Sequence, residues 1–316
     1  MKFNSISFVA PAFNEKASLP ELIAELHQVA RRMNLPYELI IVDDGSQDGT
    51  LEYLKAQAEI DKRLHVISLR RCSGKAAALH SAFQKAKGDL VVTLDADLQN
   101  DPNEIPKLVE QMHNGFDVVS GWKQDRPDGI EKRWPSKFFN YVTRKLSGLP
   151  LHDFNSGLKV YTQEAVKTLR LYGELHRYIP VLLHAQGFKI TELPTHTRPR
   201  KYGETKYKSK RYWRGLLDLL TVLFLTKYNR RPLHLFGGLG LILSFLGVAI
   251  LVYLAVLRLG LGQSIGTRPL LIFGVFLALV GLQLIFSGLL AELLIRSARD
   301  EMPPIRAELN ANEFKF

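Results

Sequence analysis

Over roughly its first 200 positions the chain alternates short apolar runs with stretches of helical periodicity. Residues 6–10, 38–42 (ELIIV), 65–69, 90–94 (LVVTL), 117–120 and 189–193 predict strands. Between the first two, Leu22, Leu26, Val29 and Met33 share one helical face, and Ser18 and Glu21 have capping-box spacing. Helices are also predicted through Tyr53 and Leu54, capped by Asp48 or Thr50, over 74–86, after Asp101-Pro102 and over 136–146. Such alternation predicts an α/β unit with a mainly parallel sheet covered on both faces. Its ligand crevice belongs at the strand C-termini.

The pattern changes near the end. Residues 235–257 and 270–291 carry no charge, and each is long enough to cross a bilayer. The first holds fifteen Leu, Ile, Val or Phe residues, an insertion preference of about −5 to −9 kcal/mol before glycine and end effects. A two-span hairpin is predicted, with Glu292 and Arg296 paired at the inner end of the second span and Gln283 and Ser287 bonding between helices. Between the α/β unit and the hairpin, Tyr212, Trp213 and Tyr228 flank an apolar run, which predicts a helix lying along the headgroups and keeping the crevice near the bilayer.

Charge sharpens this picture. Formal net charge is +11, and residues 198–231 hold eleven Lys/Arg against Glu204 and Asp218, a surplus of nine. A basic segment directly before an apolar run suits an anionic membrane surface; no nucleic-acid recognition module accompanies it. Residues 206–231 carry eight Lys/Arg, whereas the 258–269 connection has only Arg258 and Arg268. The positive-inside rule then predicts an inner (plasma) membrane protein with the α/β unit and both termini cytoplasmic. The expected divisions are 1–210 (catalytic unit), 211–232 (interfacial helix), 233–295 (hairpin) and 296–316 (tail). The single cysteine, Cys72, excludes an intrachain disulfide, and Pro11 followed by Asn14-Glu15-Lys16 breaks any secretory-signal pattern.

Candidate chemistry lies where the apolar runs end. The 90–94 run delivers Asp95 and Asp97 onto a loop, with Gln99 beyond: an all-oxygen set suited to Mg²⁺ or Mn²⁺ and to the oxygens of a diphosphate. An acidic pair on a loop also commonly caps a helix. Two further polar loops, Pro11 to Glu15 and Asp43 to Thr50, open on the same predicted edge, with Gly45 and Gly49 permitting tight turns. Neither G-x-G-x-x-G after the first strand nor G-x-x-x-x-G-K-[ST] is present, which removes dinucleotide oxidoreduction and P-loop chemistry.

Taken together, PAFNE (from Pro11), IIVDDGSQDGT, the Asp95/Asp97 pair with Gln99 and DPNEIP, DFNSGLKVY (from Asp153), R-x-x-G-x-T-K (from Arg200) and two C-terminal spans resemble the inverting glycosyltransferases of family 2, and within them the polyprenyl-phosphate branch. Thr205 stands where that family commonly has Ser. The resemblance implies a GT-A fold. It also implies a nucleotide-sugar donor whose base and ribose are surrounded by Pro11, Asn14, Glu15, Asp43 and Asp44. Asp95 would reach the ribose and metal side, and Asp97 with Gln99 would hold the metal. Lys75, Arg126, Lys132, Arg133, Ser136, Arg200 and Lys206 would grip donor and acceptor phosphates, and Asp153 would act as base, acceptor-positioning group or structural hydrogen-bond partner.

The expected reaction moves a hexose, first of all glucose from UDP-glucose, to a polyprenyl phosphate such as undecaprenyl phosphate. A homo-oligomer through the spans is a further expectation. GDP-mannose-dependent mannosyl transfer is the nearest alternative. A processive polysaccharide synthase should carry Q-x-x-R-W, yet Ile130 precedes Arg133-Trp134 where Gln belongs. A non-catalytic membrane scaffold conflicts with the intact acidic set.

Overall fold

The computed structural model describes residues 3–123, 140–145, 147–199, 201–202, 232–262, 264 and 269–297. The chain divides into two compact units, Met1–Val222 and Leu223–Phe316.

The first unit is built on a seven-stranded sheet in the order β3-β2-β1-β4-β6-β5-β7. Its strands are β1 (Ile6–Ala12), β2 (Tyr37–Asp43), β3 (Leu64–Ser68), β4 (Leu90–Thr93), β5 (Val118–Lys123), β6 (Lys159–Thr162) and β7 (Ile190–Thr195). Pairings of β1 with β2 and β4, β2 with β3, and β5 with β7 are parallel; β6 alone runs antiparallel, between β4 and β5. The parallel strands therefore end on one edge, and β6 begins there. Strands β1, β2 and β4 are almost wholly buried, as two-sided coverage by helices requires.

Helices α1 (Leu19–Met33), α2 (Thr50–Ile60), α3 (Lys75–Lys85) and α4 (Ile105–Met112) follow the first four strands. Leu22, Leu26 and Val29 of α1 pack with Phe8, Ile41, Val92 and Val160 in the main core, and Met33 lies partly buried against it. On α3, Phe83 meets Tyr161 edge-to-face at 5.8 Å between ring centroids, placing β6 over a second apolar layer. Two shorter helices, α5 (Gln163–Lys167) and α6 (Ile179–Ala185), complete the unit, and residues 140–145 are also helical.

Three local expectations are revised. Strand β6 was not expected, because a charged residue, Lys159, opens it. Ser18 and Glu21 form no capping box: Ser18 Oγ donates to Glu15, and Glu21 pairs instead with Lys201 and Tyr202. Neither cap considered for α2 serves: Gly49 is the N-cap and makes no side-chain cap bond, while Asp48, one position earlier, accepts from Thr50 N at 3.0 Å.

The second unit contains α7 (Pro232–Leu261) and α8 (Pro269–Ser297), both long and apolar enough to cross a membrane and little buried within the chain. At 1.5 Å per residue each reaches about 45 Å, more than a hydrocarbon core about 30 Å thick. They pack antiparallel along a glycine seam. A Cβ on Gly240 would lie 2.6 Å from the Gly281 carbonyl oxygen, and one on Gly247 would lie 2.5 Å from Ala278 N. Ser244 Oγ reaches the Ala278 carbonyl at 3.5 Å, and Glu292 accepts from Leu233 N at 3.3 Å. The expected bonding of Gln283 and Ser287 across the pair is not found. Both are exposed and share a shallow groove with Leu279, Leu282, Phe286 and Leu290, because α8 turns its glycines to α7 and its opposite face outward.

Candidate active site

At the edge where the parallel strands end, the β1 and β2 loops are clipped together. Asn14, left-handed at φ 52°, donates its backbone N–H to Ser46 Oγ at 2.8 Å and accepts from Gln47 N through its side-chain oxygen at 2.8 Å. Glu15 N donates to Thr50 Oγ1 at 3.1 Å. Asp43 and Asp44, at the end of β2, are both buried. Asp43 accepts from Ser46 N at 3.2 Å. Asp44 accepts from Ser73 N at 2.7 Å and Gly74 N at 2.9 Å. Asp44 thus anchors the turn that starts α3 and carries Lys75 towards the end of β4. Gly45 adopts φ 74° with its Cα hydrogen against the 71–72 backbone, where a Cβ would stand 2.7 Å from the Arg71 carbonyl carbon.

Past β4 the acidic pair sits in a strained loop. Leu98 has φ 60°, an uncommon conformation for a leucine, and Asp97, only 8% exposed, accepts from Gln99 N at 3.1 Å. Helix capping, the ordinary role for such an acidic pair, belongs to Asp101, which accepts from Asn103 N at 2.9 Å and opens a 3₁₀ turn before α4. Lys75 Nζ donates to Asp95 Oδ1. Burial pushes the Asp95 carboxyl up, but Lys75, with Lys123 and Lys159, outweighs that and leaves it lowered to about 2. Asp95 is therefore ionised throughout the neutral range.

The DFNSG segment closes the site from the β6 side. Asp153, buried, accepts from Asn155 N at 3.1 Å. Gly157 passes so close to Asp95 that a Cβ there would lie 2.7 Å from Asp95 Cγ and 3.0 Å from Asn100 Nδ2. Thr93 Oγ1 donates to the Gly157 carbonyl at 3.1 Å. Beneath this contact is a small enclosed hollow lined by Lys75, Thr93, Ser156, Gly157, Lys159 and His176. Lys159, 3% exposed, donates to the Ser156 carbonyl. Burial lowers its ammonium to about 7, with Lys75 adding to the effect and Asp153 and Asp95 opposing it. Burial likewise lowers His176 to about 2, so the imidazole is neutral.

Sequence-predicted residues thus fall into three groups. Lys75, Asp95, Asp97 and Gln99, with Asp153 on the facing loop, lie around the end of β4; Pro11, Asn14, Glu15, Asp43 and Asp44 line the ends of β1 and β2. Arg126, Lys132, Arg133, Ser136, Arg200 and Lys206 lie outside the described residues, as do the segment from Gly203, the interfacial stretch 211–228 and the tail from 298. In the second basic loop, Arg198 is committed to structure: it pairs with Glu25 at 2.7 Å and Asp101 at 2.7 Å. Lys201 is paired with Glu21 at 2.7 Å. Gly157, Lys159 and His176 were missed as site residues, although the first two sit within the DFNSGLKVY motif.

Two carboxylates and an amide make an oxygen set that fits a divalent cation sharing its remaining positions with a diphosphate. Among the described residues no group of three or more His, Cys, Asp or Glu forms a closed metal cage. An open set of this kind suits Mg²⁺ or Mn²⁺ held between protein and substrate.

A mostly parallel sheet with one reversed strand, and an acidic pair at the exit of its central strand, defines a GT-A glycosyltransferase. Residues 7–170 match Glycosyl transferase family 2, and the chain belongs to that family. Dodecaprenyl-phosphate galacturonate synthase of Rhizobium johnstonii is 38% identical over 309 residues, covering 95% of this chain and 90% of the relative. Undecaprenyl-phosphate 4-deoxy-4-formamido-L-arabinose transferase of Pseudomonas paraeruginosa is 36% identical, covering 93% and 86%. Among solved structures, Mycobacterium tuberculosis glucosyl-3-phosphoglycerate synthase, in complex with Mn²⁺, UDP-glucose and phosphoglyceric acid, superposes with TM-score 0.54 at 21% identity, covering 70% of this chain and 80% of that one. This last likeness establishes the fold alone.

Proposed function

We propose that the protein transfers a single sugar from a nucleoside diphosphate donor to the phosphate of a polyprenyl phosphate, with inversion at the anomeric carbon. The observation that carries this reading is the pair Asp95 and Asp97, held by a strained loop at the exit of β4 and excluded from helix capping by Asp101. Whole-length similarity to two polyprenyl-phosphate sugar transferases supports the acceptor class.

In the reaction an acceptor phosphate oxygen forms a bond to the sugar C1 as the bond from C1 to the diphosphate oxygen breaks, and the nucleoside diphosphate leaves. A bound Mg²⁺ or Mn²⁺ would neutralise charge on that leaving group. Asp95, Asp97 and Gln99 would hold the cation, while Pro11, Asn14, Glu15, Asp43 and Asp44 would enclose the base and ribose. The acceptor monophosphate, with a second pKa of about 6 by analogy with phosphoserine, arrives largely ionised, so a strong general base is unnecessary. Lys75 and the basic residues Arg126, Lys132, Arg133, Arg200 and Lys206, with Ser136, would hold two anionic partners together against their repulsion. Asp153 would orient the acceptor side of the pocket.

UDP-glucose is the donor we propose first. A second reading, a galacturonate donor, is favoured by the 38% identical relative and by Lys75, whose positive charge beside Asp95 suits an acidic sugar. Labelled UDP-glucose, UDP-galacturonate and GDP-mannose, each offered with undecaprenyl phosphate with and without chelator, separate these readings. Lack of chelator-sensitive transfer from every donor would overturn the reaction class.

The hairpin would place the enzyme in the inner membrane as residues 233–295, with catalytic unit 1–210 and both termini cytoplasmic and 211–232 along the headgroups. The basic surplus of residues 198–231 supports that orientation. We also propose a homo-oligomer through the outward face of α8. Gln283, at the midpoint of that helix, carries both a donor and an acceptor and can satisfy its own counterpart across a two-fold axis where lipid offers no partner.

A further inference from the structure

We infer that Lys159 and Thr93 are positioning residues for the acidic pair: together they pin the Ser156–Gly157 backbone against Asp95 and so set where that carboxylate can stand. The inference rests on the reading of Asp95 as a ligand of the donor's cation. It concerns how the site is held, and no step of the reaction passes through either residue.

Two independent tethers converge on adjacent carbonyls. Lys159 Nζ donates to the Ser156 carbonyl, and Thr93 Oγ1 donates to the Gly157 carbonyl at 3.1 Å. The two tethering residues are direct partners in the β4–β6 ladder, so their side chains rise side by side from one face of the sheet. Both are buried, with Thr93 4% and Lys159 3% exposed. Gly157 is the point of contact with Asp95 and cannot carry a Cβ without overlapping the carboxylate. A loop pressed this closely on a ligand fixes its position only if the loop itself is fixed. The tethers supply that restraint from the buried face of the loop.

A buried lysine is expensive to keep, because removing an ammonium from water costs several kcal/mol even after relaxation. Arg63, Lys75 and Arg198, which form ion pairs with carboxylates of the unit, are all partly exposed; Lys159 instead spends a buried amine on a main-chain carbonyl. An apolar side chain would fill the same place between its ladder partners Thr93 and Ser120 without that cost if packing were its only duty. Lys75 does not take this role, since its ammonium is engaged with Asp95 Oδ1.

The test uses the full-length protein in detergent and reads Mn²⁺ affinity by calorimetry in the presence of UDP, together with kcat and KM for donor and acceptor. Lys159→Met keeps the aliphatic stem and removes the donor; Thr93→Val keeps the shape and removes the hydroxyl. Each is expected to weaken Mn²⁺ affinity about 10-fold or more and to lower kcat, with the acceptor KM unchanged, in line with the 10–100-fold effects of groups that orient metal ligands. Lys159→Arg, which restores a donor, is expected to recover most of the affinity. If Lys159→Met fails to fold, Thr93→Val decides alone. Wild-type Mn²⁺ affinity in both Lys159→Met and Thr93→Val, or in Thr93→Val alone where the other does not fold, would overturn the inference while leaving the proposed function standing. Absence of Mn²⁺ binding by the wild-type protein would overturn the metal reading itself.

Discussion

Lys75 and Asp95 form an ion pair at the exit of β4, so the carboxylate proposed to hold a cation is already matched by one positive charge from α3. A divalent ion arriving with a diphosphate would give both partners new companions: the ion for Asp95, the diphosphate oxygens for Lys75. Lys75→Met should therefore weaken donor binding in the presence of metal and lower kcat/KM for the donor by about 10-fold or more. Donor titrations at fixed Mn²⁺ check this, and an unchanged kcat/KM would remove Lys75 from the donor site.

Asp97→Asn removes a charge while keeping size and the turn bond from Gln99 N. Transfer should fall by more than about 10²-fold, with metal-dependent donor binding lost and the thermal transition near the wild-type value. Measurable wild-type turnover in this variant would contradict the metal role proposed for the pair.

Gly157→Ala is a steric probe of the same site. The added methyl has nowhere to go but into the Asp95 carboxylate and the Asn100 amide. A displacement of about 1 Å at a reacting centre costs on the order of 10²-fold, and a loss of that size in kcat is expected. Circular dichroism should show the fold retained; retained activity would mean that Asp95 can shift without consequence.

Lys159 gives stability a pH dependence whose sign can be worked out. Its ammonium is lowered to about 7 in the folded chain from an ordinary value near 10.5, so between those values the unfolded chain binds more protons than the folded one. Stability from this group rises with pH across that window and is lowest below pH 7. The thermal midpoint of wild type minus that of Lys159→Met should therefore climb from pH 7 to pH 9.5; a flat difference would show that the lysine is not held in its buried state.

Gln283→Leu should shift detergent-solubilised protein towards the monomer, read by size-exclusion chromatography with light scattering, and should leave transfer activity within about 2-fold. Interhelical side-chain hydrogen bonds in membranes contribute about 0.6 kcal/mol on average and up to about 2, so the expected shift in dimer affinity is roughly 3- to 30-fold. Identical mass distributions for variant and wild type across protein concentrations would count against self-association through this face.

Much of the catalytic unit is legible in the sequence because its strands are short apolar runs and its carboxylates sit where those runs stop. Strand β6 escaped that reading for a physical reason: Lys159 looks like a surface residue until its carbonyl partner is known. The Ser18–Glu21 spacing misled because Lys201, 180 positions away, claims Glu21, and no local pattern announces a tertiary ion pair. Helical phase also left open which side of α8 meets α7. The glycines decide it, through backbone approach distances that a count of polar residues does not register.

The lone reversed strand sets a rule for how this chain can vary. Because β6 enters the sheet from the edge that the other strands leave by, the five residues 154–158 connect Asp153 to the ladder at Lys159. One residue gained or lost there would rotate the lysine to the opposite face and pull the glycine off Asp95.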